Sequence, residues 1–240
     1  MKLSFSLFYS LLLLFLCCQC QTAVDSKQEQ ETTVAITPDT LIPTPAAVPV
    51  PPPLPLPDYD TTEWTDIHLL DTTIVLDLRY ATTNNFVEEQ MYDCGRCFLR
   101  PAVAERIVKV HRLLQEEGLG LKMFDCYRPR PIQWKLWNKV PDRRYVSDPR
   151  KGSMHNRGAA VDLTIVDAQG EQLEMGTTYD FFGPEAWSTY RELPDSVLAN
   201  RLKLKTLLEA EGFAGIRTEW WHFSFPGGGH ALSDMLWNCE

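Results

Sequence analysis

Nine of the seventeen prolines in this chain fall between Pro38 and Pro57, a density that withdraws the stretch from any helix or sheet. Each proline fixes φ and removes a backbone donor. Residues 21 to 58 are otherwise Thr, Gln, Glu and small apolar groups, too poor in large apolar side chains to build a core. Such a stretch is expected to run as disordered or polyproline II chain, and at about 3.1 Å per residue its proline-dense part, residues 38–57, could reach on the order of 60 Å. Any core must come from residues 59 to 240, a length sufficient for one well-packed domain.

Upstream, Lys2 precedes the uncharged, mostly apolar run Leu3–Leu16. A spanning helix needs roughly 20 apolar residues, so the run has the layout of a secretory signal, with a buried N-terminal helix as the plainer alternative. Cys17, Cys18 and Cys20 cluster where it ends, as does the acceptor cysteine of a bacterial lipoprotein signal. The expected organisation is a leader over 1–20, a proline-rich disordered linker over 21–58 and one globular domain over 59–240. The corresponding location is the periplasm or cell envelope, with a lipid tether on one of the three cysteines. An inert export linker is the simpler reading of 21–58. The formal charge of −9 with no basic stripe argues against a nucleic-acid partner.

Within the globular part, branched residues alternate over Thr73–Tyr80, which reads as a strand, as do Leu121–Tyr127, Ala160–Val166 and Glu219–Phe225. Pro101–Glu117 reads as a helix: Val103, Ile107, Val110, Leu113 and Leu114 share a face, Pro101 suits the first turn and Gly118 the stop. Ile132–Val140 reads as a short helix, and Asp195–Glu211 as a longer one with Leu198, Leu202 and Leu208 on one side. The elements mix without a βαβ rhythm. The expected fold class is α+β, a single domain with a mostly antiparallel sheet flanked by helices.

Two short clusters carry the chemistry. His155 lies in a polar loop just before the strand holding Asp162, whose neighbours on the same face, Ala160 and Thr164, are small or polar. Far downstream stand Glu219 and His222. Two imidazoles and a carboxylate are a suitable ligand set for one zinc ion, and three protein ligands leave a fourth position for water, whose pKa zinc lowers towards ~7. Glu219 is then placed to take that water's proton and pass it to a leaving amine. Residues three apart in a straight strand face opposite ways, so Glu219 must sit before the strand or at a bulge. Trp220 and Trp221 read as packing residues, and His111, on the helix, as structural. Taken singly, His155 and Asp162 have ordinary roles as a solvated loop histidine and a hydrogen-bonded acid; their conjunction with the second cluster favours the metal.

These clusters resemble those of the zinc D-alanyl-D-alanine dipeptidases, the VanX-type branch of a larger family of peptidoglycan peptidases. The similarity extends through Tyr80-Ala81-Thr82 with Asn85-Phe86, Asp125 to Pro129, Ser153 to Thr164, Met175 to Phe181 and Glu219 to His222. It implies hydrolysis of D-Ala-D-Ala to two D-alanines in cell-wall metabolism, with one zinc per chain on His155, Asp162 and His222 and with Glu219 as general base. It also implies that Arg128 contacts the scissile carbonyl, that Asp180 and Ser153 receive the free amine of a small dipeptide, and that Tyr80 and Tyr92 wall the cleft. No obligate protein partner is implied. Met154 departs from the family pattern, where a second serine is common. The rival readings are a carboxypeptidase acting on stem peptides and a non-catalytic zinc module that binds wall peptides; the latter has no use for Glu219 or Arg128. In Cys94-Gly95-Arg96-Cys97 a local disulfide is expected, with Cys126 and Cys239 allowing other pairings.

Overall fold

The protein was analysed as a computed structural model that describes residues 56–239. The expected leader over 1–20, and the proline-rich segment up to residue 55, lie outside the described residues. In chain order the elements are β1 (Thr65–Asp66), α1 (Ile67–Leu70), β2 (Val75–Leu76), β3 (Phe98–Leu99), α2 (Pro101–Gln115), β4 (Gly120–Asp125), α3 (Arg130–Lys139), β5 (Ala160–Val166), α4 (Asp195–Ala210), β6 (Ala214–Gly215) and β7 (His222–Ser224). Among the described residues, no helix is long and apolar enough to cross a membrane.

The main sheet runs β2-β4-β5-β7-β6; only β2 and β4 pair in parallel, so the mostly antiparallel expectation holds. β5 is central and buried along its whole length. Its Val161, Leu163 and Ile165 are fully enclosed, each stabilising the fold by about 1.5–3 kcal/mol. α2 begins at a proline, which gives up no helical bond in the first turn, and buries Val103, Ile107, Val110 and Leu114, while Leu113 stays partly outside.

Four sequence expectations need correction. The Thr73–Tyr80 strand is reduced to Val75–Leu76, because the chain leaves the sheet in a 3-10 turn at Arg79–Ala81 that aims Tyr80 inward. The Glu219–Phe225 strand pairs only over His222–Ser224. The inner face of α4 is Val197, Arg201, Leu204 and Leu208 rather than the stripe through Leu198 and Leu202; Leu202 is 64% exposed. The Cys94–Cys97 bridge does not form. Cys97, fully buried beside β3, bonds Cys126 at the end of β4, and half-buried Cys94 bonds Cys239 in the C-terminal tail. The extended run into β3 turns the two thiols towards different neighbours, which the short spacing did not reveal.

Candidate metal centre

Cross-strand register assembles the site. Asp162 on β5 lies opposite His222 on β7 and, on its other side, opposite Asp125 on β4. Directly paired residues project to the same face. The β4–β5 ladder slips between Met123 and Asp125, and this bulge moves Asp125 into the row of Asp162 and His222. His155 enters from a 3-10 turn that Gly158 closes in the left-handed region (φ 68°). A side chain at that position would lie 2.4 Å from the buried Trp64 ring, so both conformation and space call for glycine.

His155 Nε2, Asp162 Oδ1 and His222 Nδ1 form a triangle with sides of 3.2 Å, 2.9 Å and 3.4 Å. Ligands on a tetrahedral zinc with bonds near 2.05 Å stand about 3.3 Å apart. The donor set and its spacing therefore fit the metal. Each donor is also oriented from behind, as ligands usually are. His155 Nδ1 lies 2.7 Å from the Cys126 carbonyl oxygen, His222 Nε2 lies 2.9 Å from Ser224 Oγ, and the Tyr179 hydroxyl donates to Asp162 Oδ2 at 3.0 Å. Although burial favours the neutral acid, the flanking imidazoles hold Asp162 below the usual carboxylate range, ionised and ready to coordinate. Burial keeps the Tyr179 hydroxyl protonated, far above its ordinary range.

Glu219 stands in the irregular segment just before β7, as the three-residue spacing required. Burial, then the Asp162 charge, push its carboxyl up from the ordinary glutamate value. It opens on a cavity of about 250 Å³ that Tyr145, Phe182 and Trp187 also line. Arg128 is buried, with Nε and Nη2 donating to Asp125 Oδ2 at 3.0 and 2.5 Å and Nη1 donating to Gln133 Oε1 at 3.1 Å. Its guanidinium lies 4.8 Å from the centre of the Tyr80 ring. Burial opposes its charge, but Asp125 restores it, so the group stays cationic.

Asp180 adopts a left-handed backbone (φ 57°), uncommon outside glycine, and accepts a bond from the Tyr80 hydroxyl at 3.0 Å. Burial, with Asp162 nearby, pushes its carboxyl well above the usual range. Two expected cleft residues stand differently. The Tyr92 hydroxyl donates to Asp125 Oδ1 at 3.2 Å and so braces the Arg128 anchor. Ser153 is bonded through its N–H and hydroxyl to Asn156 Oδ1, which shapes the His155 turn. The sequence reading assigned no role to Asp125, Gln133, Tyr179 or Ser224. For Asp125 a signal existed, an acid three residues before an arginine; the others become visible only through the fold.

The peptidase M15 family model, described as D-ala-D-ala dipeptidase, matches residues 60–238. A D-alanyl-D-alanine dipeptidase of Escherichia coli (strain K12) is 36% identical over 167 residues, covering 70% of this chain and 86% of that one. Enzymes of the same description from Streptomyces coelicolor and Enterococcus faecium are 31% and 30% identical, covering 62% and 61% of this chain and 84% and 83% of theirs.

Proposed function

The chain belongs to the D-Ala-D-Ala dipeptidase family, and from that premise we propose that it hydrolyses D-Ala-D-Ala to two molecules of D-alanine in peptidoglycan metabolism. The observation that carries this reading is the triangle of His155 Nε2, Asp162 Oδ1 and His222 Nδ1, no side above 3.4 Å, with Glu219 close enough to feel its charges. One zinc ion per chain on those three atoms supplies a Lewis acid that polarises a carbonyl and makes water acidic near neutral pH.

The chain's own groups do the rest. Glu219, its proton affinity raised by burial, takes a proton from the attacking water and returns it to the departing amine. Arg128, held by Asp125 and Gln133, keeps N–H donors free for the carbonyl oxygen as negative charge develops there, an interaction worth several kcal/mol in a water-poor site. Asp180 receives the substrate's ammonium, which favours an unblocked dipeptide over an acylated chain. Tyr80 orients that carboxyl, while Ser153 supports the turn that carries His155. Export and a lipid tether complete the proposal. The apolar leader and its cysteines support it, and two disulfides suit an oxidising compartment.

The deciding experiment incubates the purified protein with D-Ala-D-Ala and, separately, with an N-acylated stem peptide ending in D-Ala-D-Ala, and quantifies released D-alanine. Rapid turnover of the dipeptide alone is expected. Turnover of only the acylated peptide overturns the reading in favour of a carboxypeptidase.

A further inference from the structure

On the face of β7 opposite His222, a groove of about 550 Å³ runs between α4, β6 and the loops at 188–191 and 216–220. Phe223 lines it, turned away from the metal centre because neighbours along a strand alternate faces. Its volume falls among small-molecule sites. Leu198, Leu202, Ile216 and Trp220 supply apolar wall, and Leu202 and Ile216 are 64% and 36% exposed, large apolar groups open to solvent. The rim is cationic in a chain of formal charge −9: Arg191, Arg201, Lys205 and Arg217 face only Glu209 and Glu219.

Lys205 pairs with Glu209 at 3.7 Å. Among the described residues the three arginines have no carboxylate partner. Arg191 donates to the Ser188 and Tyr190 carbonyls, Arg201 to those of Met175, Trp187 and Glu185, and Arg217 lies 4.3 Å over the Trp187 ring. Arg201 is buried, and a buried cation without a counter-ion is costly. Burial and the nearby Arg191 charge bring its pKa down to about 10. Bracing the 175–187 loop against α4 accounts for the carbonyl bonds of Arg201. It does not account for Arg191, Arg217 and Lys205 gathered round an apolar trough; an anion with an apolar body satisfies both features.

We propose that this groove is a second ligand site, separate from the metal centre, that takes a small amphipathic carboxylate. The anionic head lies among Arg191, Arg201 and Arg217, and the apolar body lies along Leu198, Leu202 and Ile216. The site shares the Glu219–Trp220 segment with the hydrolytic centre but does not rest on the dipeptidase reading.

The test titrates the full zinc-loaded chain with decanoate by calorimetry, with decanol and decyltrimethylammonium as controls. Decanoate should fill one saturable site per chain, with both controls at least 10-fold weaker. The Arg191→Gln/Arg217→Gln chain should weaken decanoate at least 10-fold, and Leu202→Glu, a change at an exposed helix position, should do the same by repelling the head and wetting the wall. Absence of saturable binding, equal binding of decanol, or undiminished affinity in the double variant overturns the proposal. Hydrolysis of D-Ala-D-Ala is assayed on the same preparation. Hydrolysis without decanoate binding defeats only the second site, and binding without hydrolysis defeats only the dipeptidase reading.

Discussion

Asp180 is poor for the fold, and the proposed reaction would make use of it. Its backbone is left-handed, its carboxyl is buried, and its proton affinity is pushed well above the ordinary aspartate range. A carboxyl whose folded-state pKa is raised binds protons more tightly folded than unfolded, so stability falls as pH rises from about 4 through the folded value. Asp180→Asn removes that cost, and asparagine tolerates the left-handed region well. The variant should be more stable than the parent at pH 8 and differ least from it at pH 4, read by urea unfolding at both. Its kcat/KM on D-Ala-D-Ala should fall about 10- to 100-fold, since a charge-assisted bond to the amine is lost. A variant no more stable at pH 8 than the parent contradicts the assignment. Glu219 offers the complementary case. Glu219→Ala should keep its zinc, because the ligand atoms belong to other residues, while the hydrolytic rate drops by about 10² or more; metal analysis and kcat on one sample check both. The sequence singles out both residues, Glu219 by its spacing from His222 and Asp180 through the family resemblance. The groups behind Arg128, Asp162 and His222, namely Asp125, Tyr179 and Ser224, were not readable there, because nothing local distinguishes a tyrosine behind a ligand from a tyrosine in a core.

At the scale of elements, β5 was legible end to end, since seven consecutive residues suited to a central strand leave little choice. The two-residue strands β1, β3 and β6 escaped, because so short a pairing has no period. α4 was located but rotated. Its sequence offers apolar residues on more than one side, and only packing decides that Val197 and Leu204 go in while Leu202 stays out. The turn carrying His155 depends on Gly158, whose N–H donates to the His155 carbonyl at 3.1 Å and whose missing side chain leaves room for Trp64. Gly158→Ala combines left-handed strain with that collision and should destabilise the protein by about 2–4 kcal/mol. Because the turn aims His155, zinc affinity measured by chelator competition should weaken as well. Unchanged zinc affinity would separate the turn from the metal site.

Among the described residues, the domain is closed by the segment 235–239. Trp237 packs on Tyr92, Phe98 and Tyr127, the Tyr127 hydroxyl donates to the Met235 carbonyl at 3.1 Å, and Cys239 is bonded to Cys94 across 145 residues. Bridging so long a loop restricts the unfolded chain strongly, and replacing both cysteines with serine should cost about 2–4 kcal/mol, a fall in Tm of about 5–15 °C. Calorimetry of the Cys94→Ser/Cys239→Ser chain against the parent measures it, and an unchanged Tm excludes the bridge as a stabilising element. Tyr92 links this closure to the site, since one face of its ring meets Trp237 and its hydroxyl meets Asp125.

The sequence by itself determined the family, the fold class and the position of the central strand, because each is set by residue chemistry or by a period within one segment. The tertiary structure alone decided which cysteines bond, which side of α4 is buried, that a bulge at the end of β4 draws Asp125 beside Asp162, and that unpaired arginines collect behind β7. Those outcomes depend on the register and packing of segments far apart in the chain, and no local pattern encodes which distant surface a side chain will meet.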